Sequence, residues 1–203
     1  MTADLKRRSI QQFGHPRGIA GRLVGWVMAH RGSNRKRNIW AVSLLDVRPT
    51  DRVLEVGFGP GVAIAEFARR VTLGQVYGID RSAVMVRQAS RRNRVAIRTS
   101  RVVLTQASVD HLPDFGEPLD LVFSVNSLGF WTDPVARLQE LRRLLRPGGR
   151  IALVSQPRFP GVTTAQAAQE LDDRLTQAGF TQIRLETLAL EPPVACVQGV
   201  NPA

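Results

Sequence analysis

A single cysteine, Cys196, excludes an internal disulfide and points to a reducing compartment. Lysine is nearly absent as well. Lys6 and Lys36 are the only two, so arginine carries almost all of the positive charge behind a net +11. No apolar run approaches the ~18 residues of a transmembrane helix. Residues 1–8 lack the uninterrupted apolar core of a secretion signal. These absences make a cytoplasmic chain without stable membrane insertion the expectation. Internal repeats, low-complexity stretches and interdomain linkers are also missing. The 203 residues suffice for one well-buried domain and are short for two.

The arginines cluster at residues 31–37, 87–101 and 142–150, on what read as separate elements. Arginine written for lysine by a high-GC genome and spread over solvated faces is preferred to a nucleic-acid or membrane footprint.

What the sequence does contain is organised around Arg52-Val53-Leu54-Glu55-Val56-Gly57-Phe58-Gly59-Pro60-Gly61. The apolar run predicts a buried strand. Val62, Ala65, Ala68 and Val71 then recur at helical spacing, so the glycines form a strand-to-helix turn. Glycines there let the backbone bend sharply and let a ligand approach the main chain. Gln75 to Asp80 reads as a second strand ending in a carboxylate, placed to accept ribose hydroxyls. The dinucleotide fingerprint G-x-G-x-x-G is not matched, because Val62 stands where its third glycine belongs. Glu55, two residues before the first glycine, suits a cationic ligand better than a pyrophosphate.

Further strands are predicted at 101–106, 119–125 and 151–155, with closing strands at 181–190 and 194–198. Ser82, Asp133 with Pro134, and Thr163 or Thr164 mark helix starts. Arg146-Pro147-Gly148-Gly149 reads as a helix stop. Before the first strand, 19–30 and a segment through Ile39, Val42 and Leu45 have helical faces, with Gly32-Ser33-Asn34 as the break between them.

The turn Glu55-x-Gly57-x-Gly59-x-Gly61 together with Asp80 closely resembles motifs of class I S-adenosylmethionine (SAM)-dependent methyltransferases. The chain is similar to small bacterial members of the ubiquinone/menaquinone-biosynthesis type, and the resemblance covers about residues 50–198. It implies an α/β, Rossmann-like, seven-stranded, mostly parallel sheet with helices on both faces. An antiparallel C-terminal hairpin closes the sheet. Residues 1–48 would be an N-terminal helical cap and 49–203 the SAM-binding domain, one compact unit.

Carried over by motif, Gly57, Gly59 and Gly61 would pass beneath the methionine part of SAM, with Glu55 near its amino group. Asp80 would hold the ribose, and Arg81 and Met85 would lie against the adenine; core packing is the other reading of Met85. Relatives commonly carry an acid where Ser108 stands. The serine hydroxyl or Asp110 would take that acid's place and accept from the adenine amino group, with the Val109 backbone amide serving in either case. Asn126 would contact the cofactor or orient the acceptor. Phe130 and Trp131 read equally as pocket wall or core. His15, His30, His111 and Asp133 are bases by type, but none is assigned as catalytic, and no metal ligand is assigned.

Several substrate classes lack their signatures. An Asn/Asp-Pro-Pro-aromatic motif, a cysteine near the fourth strand, a Lys-Asp-Lys-Glu set and a paired-glutamate loop are all missing. A small, partly apolar metabolite is the expected acceptor, with S-adenosylhomocysteine as the other product. The alternatives are an RNA- or DNA-directed enzyme using the arginines and a non-catalytic SAM-binding sensor or partner subunit. The N-terminal helices would close over substrate or form a homodimer.

Overall fold

A computed structural model describes residues 32–157 and 161–202 of the chain. The expected 19–30 helix, His15 and His30 lie outside the described residues. The elements run α1 (Gly32–Ser43), β1 (Arg52–Val56), α2 (Val62–Arg70), β2 (Gln75–Asp80), α3 (Ala83–Arg92), α4 (Arg94–Arg98) and β3 (Val102–Gln106). Then follow β4 (Leu119–Val125), a 3-10 turn (Leu128–Phe130), α5 (Pro134–Leu144), β5 (Leu145–Ser155), α6 (Thr164–Gln177), β6 (Thr181–Leu188) and β7 (Val194–Val200).

Strands joined by helical crossovers must run parallel, and those from β1 to β5 do. The last two are joined by a short loop, and β7 enters antiparallel between β5 and β6. The sheet order is β3-β2-β1-β4-β5-β7-β6. Strand order reverses at β1 and β4, which opens a crevice beyond their C-terminal ends.

Both faces of the sheet are covered, which is why β1 and β4 are apolar almost throughout. Val53, Leu121 and Phe123 face one core with Phe67 of α2 and Val84 of α3. Leu54, Val122 and Leu153 face the other with Leu138 and Leu141 of α5 and Leu171 and Leu175 of α6. Ala41, Val42 and Leu45 belong to the first core, so α1 packs onto α2.

Local chemistry sets the helix ends. The Asp133 carboxylate accepts from the Ala136 amide at 3.2 Å, with Pro134 beside it at the first helical position. Thr163 and Gln166 form a reciprocal capping box at α6. Arg69 and Arg70 close α2 with favourable charge and both reach Glu66, at 2.9 and 2.6 Å.

Three expectations change. Gly32-Ser33-Asn34 is not a break but the first turn of α1, because Asn34 supplies side-chain and backbone acceptors to Asn38 within the helix. A short helix, α4, occupies residues read as connection. The segment around Pro147 does not separate α5 from its strand: β5 begins at Leu145, which pairs with Leu119, and pairing resumes with Leu121 opposite Arg150. The excursion between them is held by Asn201. Its amide nitrogen donates to the Leu145 and Arg146 carbonyls at 3.0 and 3.2 Å, and its backbone exchanges bonds with Gly148 and Gly149.

The arginine clusters also separate by role. Arg146 pairs with Asp120 at 2.6 Å and Arg150 with Asp51 at 3.2 Å. These are structural contacts near the N-terminal ends of the strands. Arg87, Arg91, Arg94 and Arg98 stay exposed on α3 and α4.

Candidate functional site

The crevice at the strand-order reversal holds a cleft with an empty volume of about 1000 Å3, its open mouth included. One half is built on the turn after β1. Gly57 donates to the Ile79 carbonyl at 2.8 Å, which seats the turn over the end of β2. Gly57, Gly59 and Gly61 all have positive φ.

They do different things. At Gly59 (φ +52) a Cβ would meet nothing within 4 Å, so the bare main chain faces open space. Gly61 is not among the residues that line the cleft. A Cβ there would lie 2.7 Å from Ala89 Cβ and 3.0 Å from Ala89 Cα, so this glycine lets α2 pack onto α3. Gly61→Ala should therefore lower stability by about 2–4 kcal/mol, from left-handed strain plus overpacking. Gly59→Ala, strained but unclashed, should lose about 1–2 kcal/mol. Urea unfolding of both variants checks the order.

Two carboxylates stand beside this turn. Asp80 accepts from the Gly59 amide through Oδ2 and from the Ser82 amide through Oδ1, both at 2.9 Å. It thus joins the glycine turn to the start of α3. Burial lifts its pKa above the usual carboxylate value, against the opposing pull of those amides and Arg81.

Glu55 is 2% exposed and lines the cleft. It takes a hydrogen bond from the Ile64 amide in the first turn of α2, where Gly61 has no side chain to cap with. Its Oε2 is buried and has no hydrogen-bond partner among the described residues. Burial raises its pKa well above the ordinary value, the Asp80 charge adds to this, and the Ile64 amide opposes it. A buried carboxylate oxygen left over in a cleft favours a cationic or hydrogen-donating ligand.

Apolar Ile79, Met85 and Val109 complete this half, with Ser108 and Arg81 at its edge. Met85 is 3% exposed and belongs to the core as well as to the lining. The Ser108 hydroxyl donates to Asp110 Oδ2 at 2.8 Å and accepts from the Asp110 amide. That pairing holds Asp110 back, and Asp110 is not among the lining residues.

The other half lies past β4. Asn126, Ser127, Phe130 and Trp131 line it. Trp131 is nearly buried and its indole donates to Ser127 Oγ at 3.0 Å. Phe130 is 41% exposed, and the Arg81 guanidinium sits 5.7 Å from its ring centre, joining the two halves at the rim. Both aromatics are therefore wall, and Trp131 is core in addition. Neither His111 nor Asp133 lines the cleft.

Sequence reasoning missed the polar face of α1. Asn34, Arg37 and Asn38 are 5%, 2% and 5% exposed, and all three line the cleft. The signal was present in their i, i+3, i+4 spacing, which continues the stripe of Ala41, Val42 and Leu45. Gln156, just past β5 and 4% exposed, was missed too; it bonds to Arg37 and to the Asn126 side chain.

Comparisons with known proteins agree on one family. A methyltransferase-domain family model matches residues 53–149. The uncharacterized methyltransferase YdaC of Bacillus subtilis is 31% identical over 186 residues, covering 89% of this chain and 99% of that protein. The 2-phytyl-1,4-naphtoquinone methyltransferase of Trichormus variabilis is 32% identical over 123 residues, 59% of this chain and 54% of its own. Among solved structures, a SAM-dependent methyltransferase from Aquifex aeolicus superposes with a TM-score of 0.71 at 19% identity. It matches over 88% of this chain and 97% of its own.

Proposed function

Since the chain belongs to the class I SAM-dependent methyltransferases, we propose that it methylates a small, partly apolar metabolite. The observation that carries the acceptor reading is the aromatic wall of Phe130 and Trp131, which lines the same cleft as the carboxylates. Similarity to a naphtoquinone methyltransferase supports the same class.

The residues of the first half fit SAM. The leftover Glu55 oxygen suits its ammonium group, and the open space at Gly59 admits a ligand against the main chain. Asp80 has a second lone pair on each oxygen for the ribose hydroxyls. Met85 and Arg81 flank the adenine, whose amino group is taken by the remaining lone pair of Ser108. When bound, SAM supplies a methyl carbon activated by its sulfonium sulfur. The chain's own part is to hold the acceptor in line with that carbon, and positioning of this kind can supply most of the rate. Of the region expected to cap the cofactor, the described helix α1 lines the cleft through Asn34, Arg37 and Asn38.

Incubation with methyl-labelled SAM and a fractionated cell extract tests the proposal, with Asp80→Ala as background control. Label in the lipid or metabolite fraction is the expected result. A second reading has one observation in its favour: residues 81–109 hold seven arginines and no acid. Label confined to nucleic acid, with steep salt dependence of binding, would replace the first reading with that one.

A further inference from the structure

The chain at the end of β4 is held in an unusual shape. Asn126 has φ +51, in the left-handed region that non-glycine residues seldom occupy and that concentrates at functional sites. Its backbone amide donates to the Val154 carbonyl at 2.8 Å. Its side-chain Oδ1 accepts from the Gln156 backbone amide at 2.7 Å. A backbone amide only donates, so the atom facing it has to be the oxygen. The side-chain nitrogen of Asn126, with two hydrogens, is left for whatever occupies the cleft. It donates to no other described residue.

Gln156 is oriented by the same logic. Its Nε2 donates to the Pro192 carbonyl at 2.8 Å, and its Oε1 accepts from Arg37 Nη1. Arg37 also donates through Nη2 to Asn34 Oδ1, and Asn38 donates to the Asn34 carbonyl at 2.7 Å. A buried guanidinium, positive at any accessible pH, thus stands one amide group behind the donor that Asn126 presents. The aromatic wall begins beside it. Asp80 and Glu55 line the same cleft from the glycine-turn side.

We propose that this array recognises an oxyanion on the acceptor, a carboxylate or phenolate oxygen carried on an apolar body. Asn126 donates to that oxygen. Gln156 and Arg37 are positioning residues: the Gln156 backbone amide fixes which way the Asn126 amide points, and Arg37, bonded to the Gln156 side chain, sets the sign of the local potential. The inference rests on the proposed methyl transfer to a small metabolite and specifies its acceptor.

The test uses the full chain saturated with S-adenosylhomocysteine. Paired probes, benzoate with benzamide and 1-naphthoate with 1-naphthamide, are titrated by calorimetry. In each pair the carboxylate should bind about tenfold tighter than its neutral amide, as a charge-assisted hydrogen bond would give. Asn126→Asp keeps the side-chain shape, tolerates the left-handed backbone and replaces the donor with a carboxylate. It should abolish the preference for the anion, with thermal unfolding reporting that the fold is kept. Arg37→Met should weaken the carboxylates about tenfold and leave the neutral amides unchanged, a split that simple loss of packing does not produce.

Equal affinity within both pairs overturns the inference, and so does failure of all four probes to bind. A preference that survives in Asn126→Asp overturns it as well. Wild-type protein that does not bind S-adenosylhomocysteine would instead sink the methyltransferase reading on which the inference rests.

Discussion

Asp80→Ala should lower SAM affinity by two orders of magnitude or more. Each hydrogen bond to a charged acceptor contributes about 1.5–3 kcal/mol, and the proposed ribose contacts are two. The substitution also strips the Gly59 and Ser82 amides of their acceptor, so the glycine turn loses its tie to α3. Calorimetry with SAM reads the affinity, and circular dichroism with thermal unfolding reports whether the fold survives. Asp80→Asn separates the two effects, since it keeps an oxygen for one amide and loses the charge. It should bind about tenfold more weakly than wild type with little loss of fold. Wild-type affinity in both variants would remove Asp80 from the cofactor site. Because burial raises the pKa of this carboxyl, SAM affinity should also weaken as pH falls through the raised value.

Glu55→Gln should act in opposite directions on the free protein and on its complex. The folded-state pKa of Glu55 is raised by burial first and by Asp80 second. A carboxyl shifted upward favours the folded state below its unfolded pKa, and that advantage is lost as pH rises toward the folded value. Wild type and Glu55→Gln should therefore unfold alike in acid, where both side chains are neutral. Above the ordinary glutamate range the variant should gain thermal stability over wild type, and the gap should level off once the folded-state carboxyl has ionised. Its affinity for SAM should meanwhile fall tenfold to a hundredfold, since a neutral amide replaces the partner of an ammonium group. Thermal scans across pH, with and without SAM, read both effects. A variant less stable than wild type at neutral pH would mean that the Glu55 charge is satisfied within the fold itself.

The two carboxylates were legible because they sit beside signals that need no tertiary context. An apolar run, alternating glycines and a second run ending in an acid can be read from order alone. The strands 75–80 and 119–125 match the sequence reading for the same reason, being apolar runs with clear ends. The packing of Gly61 on Ala89 was not legible, since spacing cannot say which side of a turn a Cα faces. Asn34, Arg37 and Asn38 were passed over because polar residues on a helix are ordinarily solvated, and the partner of Arg37, Gln156, lies 119 residues further along the chain. The start of β5 was hidden by Pro147 and Gly148, which read as a stop until Leu145 is seen opposite Leu119.

The loop between β6 and β7 supplies the Pro192 carbonyl that holds Gln156. On the proposed reading, donor and acceptor recognition draw on different parts of the chain. The carboxylate half draws on residues 55–109, and the amide half on α1, the end of β4, Gln156 and this late hairpin. A lineage can thus exchange one vocabulary while keeping the other. On that reading, transplanting residues 34–38, 126–131, 156 and 188–194 between relatives should carry a new acceptor choice onto an old cofactor site.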